Sequence, residues 1–473
     1  MMSRSGKMDS IKAIAIALVV LYHMGITPYG YLGVDMFLVI SGYLTARSLS
    51  KRLDEGCPFV VSFLVSRFAR ILPLVLCATT VSLALGLVVM LPDDLENLSE
   101  TVVASNVFLN NVLQCITTGN YWDVVNEYKP LMHTWYLGLL FQYYFVIAIL
   151  FWAAGRFFPE SSRRSIIVCL SGLSVLSWLL LVVGIGKTVW AFYYLPWRFF
   201  EFSVGSLVWF SGERLYGLLS RSWRTTATWV ALMVCPLMLL ESLLIANWLR
   251  VTIVVIVVAV LLLSDCERSR LGKLLVNVPL VCSIGRASLS VFIWHQVILA
   301  FGRYSIISVD SSALVACAYL AIIILLSMFS YYFIERIDMR HLMSLRGIIC
   351  MSIIFLLING VSLVTYLRAG VWHDVPELEI VSSMAQRGMH AKYNSRNHLL
   401  DRDFTDTSGK IKVLVVGDSF ARDWINVLRE SSSADKLQIS YCDISFWSTN
   451  VLVRACEADF VFYATMGGVN HKF

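Results

Sequence analysis

The sequence predicts an all-α polytopic membrane protein of about 11 transmembrane helices, followed by a partial α/β domain. Three observations carry that prediction. Of the 473 residues, 58 % are hydrophobic and only 15 % charged, and the mean hydropathy is +0.72. That balance excludes a soluble globular chain. The apolar residues are gathered into runs of membrane-spanning length. The runs stop near residue 367, and a polar stretch and one strand–turn–helix pattern follow.

The runs lie at 10–26, 33–49, 71–91, 133–154, 166–185, 190–210, 226–244, 248–264, 288–304, 313–334 and 346–367. The first shows no small-residue cleavage site behind it and is expected to stay as a helix. Basic residues collect in alternate connections: Arg4, Lys7 and Lys12, then Arg47, Lys51, Arg52, Arg67 and Arg70, then Arg156, Arg163 and Arg164. The pattern continues with Arg214, Arg221 and Arg224, then Arg268, Arg270, Lys273 and Arg286, and last Arg336, Arg340 and Arg346. The intervening short connections hold little beyond Lys129, Lys187 and Arg303. Basic loops stay on the cytoplasmic side, so the expected topology is N-terminus inside and, with an odd count, C-terminal domain outside. The same distribution accounts for the net charge of +6 without a nucleic-acid partner. Bilayer lipid is the surrounding partner.

The connection 92–132 reads as a long acidic outer loop, with Asp93, Asp94, Glu96, Glu100, Asp123 and Glu127. After residue 372, residues 373–410 read as an extracytoplasmic linker. Ile411–Val416 then reads as a strand, Gly417-Asp418-Ser419 as a turn and Phe420–Glu430 as a helix, the start of a βαβ unit. The expected division is a membrane domain over 1–345, an additional transmembrane helix over 346–372, the linker, and the partial domain over 411–473. The 11 cysteines show no metal-ligand spacing, and no metal or permanently bound cofactor is expected. Cys442 and Cys456 would pair if their segment is extracytoplasmic.

Ionisable residues inside apolar runs are expensive and point to function. His23 lies late in the first run and Asp35 early in the second, so a helical hairpin brings both to similar depth. At 1.5 Å per residue, His23 stands about 20 Å beyond Asp9, roughly two thirds of the way across. A neutral imidazole there takes a proton from an attacking hydroxyl, and Asp35 would orient it. A histidine bonded to a neighbouring helix is the alternative reading. Arg67 and Arg70 share one helix face and suit the phosphates of a phosphorylated ligand; a positive-inside signal alone would also place them. His133, Arg198, Glu201 and His295 complete a polar core. Arg198 and Glu201, three apart, read as a self-neutralising pair, and His295 as a bundle contact. Ser419 stands at a strand-to-helix turn, where backbone amides can bind an oxyanion.

Several of these stretches resemble the acyltransferase type 3 family. They are Asp9-Ser10-Ile11-Lys12-Ala13 through Tyr22-His23, Gly33-Val34-Asp35-Met36-Phe37, Ser41-Gly42-Tyr43-Leu44, and Arg67-Phe68-Ala69-Arg70-Ile71-Leu72-Pro73. Asn110-Asn111, Tyr121-Trp122-Asp123, His133-Thr134-Trp135, Arg198 with Glu201, and Glu335-Arg336 continue the likeness, which covers about residues 8–340. The resemblance implies an integral inner-membrane enzyme that O-acylates surface sugars. His23 would be its catalytic histidine and Arg67 and Arg70 its donor-side motif. The donor would be acetyl-coenzyme A or another acyl-coenzyme A, and the acceptor a lipid-linked or surface glycan. Two departures stand out: Ala13 replaces a usual glycine, and Leu140-Phe141 stand where the family carries two acids. Gly417-Asp418-Ser419-Phe420 is similar to the first block of the SGNH hydrolase family. No Asp-x-x-His follows, and His471 lacks the aspartate three residues before it. The rival class is a proton-coupled exporter built on the same polar core.

Overall fold

The structure is a computed structural model. It describes residues 6–55, 60–117, 126–184, 188–218, 220–240, 245–263, 278–305, 312–372, 395–405, 409–443 and 449–464. Tyr121, Trp122, Asp123, Lys187, Arg268, Arg270, Lys273, most of the linker and His471 lie outside these. The chain divides into two compact units, Met1–Tyr366 and Leu367–Phe473.

The first unit is helical throughout. Helix α1 (Gly6–His23) ends where Gly25 takes a left-handed φ of 72°, a conformation that costs glycine little. A short loop leads to α2 (Leu32–Asp54), and α3 (Val60–Val89) carries Pro73 inside it. Next come α4 (Pro92–Asn106) and α5 (Asn110–Thr117), then α6 (Trp135–Phe157), entered through a 3₁₀ turn at Met132–Thr134. The stretch expected as a loop over 92–132 therefore contains two helices. The signals for α4 were local: Pro92 at the first helical position, Asp93 and Asp94 in the first turn, and buried Leu95, Leu98 and Val102 at helical spacing.

The remainder of the unit is α7 (Ser162–Val183), α8 (Thr188–Tyr193), α9 (Leu195–Leu218), α10 (Arg221–Leu237) and α11 (Asn247–Leu263). Then follow α12 (Pro279–Arg286), α13 (Ser288–Tyr304) and α14 (Ala313–Ser330), which runs on as a π turn at Tyr331–Glu335. Short α15 (Met339–Leu342) and α16 (Leu345–Leu367) close it.

Among the described residues, six helices are long and apolar enough to cross a membrane: α2, α3, α6, α7, α14 and α16. The pair α12–α13, bent by 74°, makes a seventh if it is one span. Helices α1 and α9 fall short because they carry Lys7, Asp9 and Lys12, and Arg198 and Glu201. The most apolar window of α2 is 67 % buried, against 17 % for α14 and 11 % for α16. So α2 is central, and α14 and α16 turn apolar side chains outward, as lipid-facing helices do.

Backbone contact holds the centre. A Cβ on Gly42 of α2 would strike the Phe202 carbonyl of α9, and one on Gly205 of α9 would strike the Val39 carbonyl of α2. Small residues at such crossings let membrane helices approach closely.

The second unit is a parallel sheet in the order β2-β1-β3, built from β1 (Ile411–Gly417), β2 (Leu437–Asp443) and β3 (Phe460–Ala464). Helix α17 (Ser419–Glu430) packs Ala421 and Ile425 on Val413, Val415 and Tyr441. Helix α18 (Thr449–Glu457) packs Val451 on Leu414, Val416 and Cys442 of the other face. Covering both faces explains the unbroken apolar run Val413–Val416 in β1. Cys442 and Cys456 stand as separate thiols, the first buried and the second exposed, so the expected pairing is not present. Burial pushes the Cys442 thiol's pKa up, which keeps it protonated and unreactive.

Candidate active site

Three histidines from distant parts of the chain meet inside the first unit. His23 is the last residue of α1, His133 sits in the 3₁₀ turn before α6, and His295 lies mid-way along α13. The His295 ring centroid is 5.2 Å from that of His23 and 5.2 Å from that of His133. His295 Nδ1 lies 2.7 Å from the Phe292 carbonyl oxygen and 3.2 Å from that of Val291. Nδ1 therefore carries the proton and donates it, and Nε2 keeps its lone pair. Nε2 is buried without a hydrogen-bond partner among the described residues.

No carboxylate holds a histidine here: the His295 ring bonds backbone carbonyls, and arginine and amide side chains fix the main chain at the other two. Arg303 donates to the His23 carbonyl at 2.7 Å and to the Glu127 carbonyl at 3.2 Å, meeting the unpaired carbonyl end of α1. The turn carrying His133 is fixed by Asn110, whose Nδ2 donates to the Leu131 carbonyl at 3.0 Å and to Thr134 Oγ1 at 2.7 Å. Gln296 beside His295 donates to the Lys129 carbonyl at 3.1 Å. Asn111 and Gln142 exchange amide hydrogen bonds, and Asn111 also donates to the Tyr193 carbonyl at 3.1 Å. The amide side chains thus do the positioning, which the sequence did not reveal: Asn110 and Asn111 stood out there only as part of a resemblance.

His23 and His133 line a cavity of about 770 Å³, inside the range of small-molecule sites. Its wall is aromatic and polar, including Tyr22, Tyr31, Trp135, Phe192 and Arg303. The Trp135 ring lies 4.7 Å from Phe192 and 5.5 Å from Tyr193. An imidazole in such a wall can take a proton from a hydroxyl brought to it.

Asp35 does not serve His23. Its Oδ1 is 2.8 Å from Arg198 Nη1, and the same Arg198 nitrogen is 3.0 Å from Glu201 Oε1. All three side chains are at most 7 % exposed. The physical reason is the crossing of α2 on α9 at Gly42 and Gly205, which turns the Asp35 face of α2 toward α9. The expected Arg198–Glu201 pair is thus a three-residue cluster.

Arg67 and Arg70 line a second, smaller pocket of about 150 Å³, together with Lys12, Ser41, Tyr136 and Leu140. The Arg67 guanidinium lies over the rings of Phe63 and Tyr144, at 5.0 and 5.6 Å, so it is held by cation–π contact. The departures at Leu140-Phe141 have an apolar use: Leu140 lines this pocket, and Phe141 stacks on Phe108 at 3.9 Å.

In the second unit Ser419 begins α17 directly after β1. Gly417 has φ 151°, and a Cβ there would strike the Ala464 carbonyl, so the turn demands glycine. Asp418 caps the helix by accepting from the Phe420 amide at 3.0 Å. No group of three or more His, Cys, Asp or Glu side chains arranged to hold a metal ion occurs among the described residues.

Comparison with known proteins agrees with this architecture. Residues 6–332 match the acyltransferase domain family. BcsY of Komagataeibacter xylinus, named as a membrane-bound transacylase, is 28 % identical over 340 residues, which is 72 % of this chain and 84 % of that protein. SACOL0978 of Staphylococcus aureus, named as an O-acetyltransferase, is 29 % identical over 147 residues, 30 % of this chain and 24 % of its own length. The peptidoglycan O-acetyltransferase OatA of Listeria monocytogenes is 28 % identical over 141 residues, 29 % of this chain and 22 % of its own length. No solved structure matches. With the family match spanning residues 6–332 and the apolar helices described above, this chain belongs to the acyltransferase type 3 family and is a multi-pass membrane acyltransferase.

Proposed function

We propose that the protein is an O-acyltransferase that moves an acetyl group from cytoplasmic acetyl-coenzyme A to a hydroxyl of a lipid-linked or surface glycan. The observation that carries this reading is the pair of compartments. The arginines suited to a phosphorylated donor line one, and the histidines suited to a hydroxyl acceptor line the other. Along α1, α2 and α13 the residues of the two compartments follow the same axial order: Lys12 then His23, Thr45 then Tyr31, Ser288 then Arg303. The names of BcsY, SACOL0978 and OatA are consistent with acyl transfer, and that of OatA specifies peptidoglycan as its own acceptor.

In this mechanism the acceptor hydroxyl oxygen attacks the thioester carbonyl carbon as His23 takes the hydroxyl proton. The carbon–sulfur bond breaks, the thiolate leaves and regains a proton, and an oxygen ester and free coenzyme A result. His295, its ring centroid 5.2 Å from that of His23, is the ring that packs on the imidazole in place of a carboxylate. We place the protein in a bacterial inner membrane, N-terminus in the cytoplasm, crossing eleven times by the sequence pattern, with an SGNH-like domain outside.

The test is purified protein in proteoliposomes with labelled acetyl-coenzyme A and a glycan-bearing envelope fraction. Covalent label on glycan, abolished by His23→Ala in protein that still inserts, is the expected result. Label crossing the membrane with no covalent change would replace this reading with an exporter.

A further inference from the structure

The two compartments are neighbours, and among the described residues one residue lines both: Phe292. Phe292 is 4 % exposed. It lies edge-on to His133 at 5.2 Å on the side of the larger cavity and to Tyr136 at 5.2 Å on the side of the smaller pocket. Tyr136 is held from below by Ser41, with 3.0 Å between the hydroxyls. The Phe292 backbone has a separate task, accepting the His295 Nδ1 proton, and that task does not need the ring.

We infer that the Phe292 ring is the partition between the donor pocket and the histidine cavity, and that it sets the size of the acyl group that reaches His23. This rests on the donor and acceptor assignment proposed above. An acyl carbon held on the Arg67–Arg70 side meets His23 only where this ring lies. The ring must turn aside for a small acyl group and blocks a larger one. A closed ring also keeps water of the larger cavity away from the thioester. Without it, water attacks the carbonyl carbon, the carbon–sulfur bond breaks, and a free carboxylic acid and coenzyme A are released with no acceptor consumed. Because the carbonyl of residue 292 survives substitution, truncating the ring leaves the His295 tautomer in place.

The experiment uses the full chain in proteoliposomes with acetyl-, butyryl- and octanoyl-coenzyme A. Phe292→Ala is expected to raise the butyryl-to-acetyl transfer ratio about 10-fold or more, the scale on which pocket walls discriminate methylenes, and to raise acceptor-free thiol release. Phe292→Trp, which fills the gap, is expected to lower transfer of every donor while the protein stays monodisperse. Unchanged ratios and unchanged thiol release in both variants would overturn the inference.

A second readout does not depend on catalysis. In a His23→Cys background, a membrane-impermeant thiol reagent is added on the Arg67 side, and modification at residue 23 is mapped by mass spectrometry. Adding Phe292→Ala is expected to speed it about 10-fold; equal rates would overturn the partition. If the unaltered protein moves no acetyl group, the proposed function fails, and the labelling rates still decide whether Phe292 divides the two spaces.

Discussion

Removing Arg198 should cost the protein several kilocalories per mole of stability, because it strands two buried carboxylates at once. Asp35 and Glu201 lie 2.8 and 3.0 Å from the same guanidinium nitrogen, with side chains 1 % and 0 % exposed. Breaking one buried pair by deleting a partner costs about 3–5 kcal/mol, since the remaining charge stays out of water unpaired. Arg198→Ala breaks two, but one of the two adjacent acids can shed its charge by taking a proton, so one ion is left stranded. The expected loss is therefore about 3–5 kcal/mol, or roughly 6–10 °C in melting temperature at about 2 °C per kcal/mol. Thermal unfolding in detergent measures it. The companion variant Arg198→Met with Asp35→Asn and Glu201→Gln removes all three charges and should recover most of the loss, because a neutral cluster has no stranded ion. A melting temperature for Arg198→Ala within 1–2 °C of the unaltered protein would refute the argument.

Three further outcomes are expected. Arg67→Ala with Arg70→Ala should weaken acyl-coenzyme A dependence about 10-fold or more while leaving acceptor dependence nearly unchanged, each charged hydrogen bond to phosphate being worth about 1.5–3 kcal/mol; titrating each substrate in vesicles checks it. Asn110→Ala should lower transfer more than it lowers melting temperature, because it frees the turn carrying His133 at a cost of about 1–3 kcal/mol; the two measurements on one preparation decide. Ser419→Ala should matter much less than His23→Ala for glycan acylation, because a serine is a weak nucleophile until a base takes its proton and no Asp-x-x-His follows it in this sequence; comparable losses would assign the serine a part in the transfer.

Much of the fold was legible because helix formation is local. Apolar runs formed helices, and β1 gives way to α17 across Gly417-Asp418-Ser419, the turn the sequence marked. The three-residue spacing of Arg198 and Glu201 brought them together for the same reason, since that spacing closes one helical turn. Where a local signal was overlooked, as with Pro92-Asp93-Asp94 at the head of α4, the information was present in the chain.

The site was legible only in part. Sequence alone marked His23, His133 and His295 as polar residues in apolar helices, and Arg67 and Arg70 as a paired motif. It could not say that the three histidines converge, or that Asp35 turns to Arg198 instead of His23. Those facts depend on the rotation of each helix about its axis and on which helices touch. Both are set by backbone contacts such as Gly42 on Phe202 and Gly205 on Val39, between residues far apart in the chain. A residue's depth in the bilayer follows from its place along one helix, at 1.5 Å per residue. Its partner across the bundle is decided by packing, and here packing set Asn110, Gln296, Arg303 and the Phe292 ring around the three histidines that the sequence had already singled out.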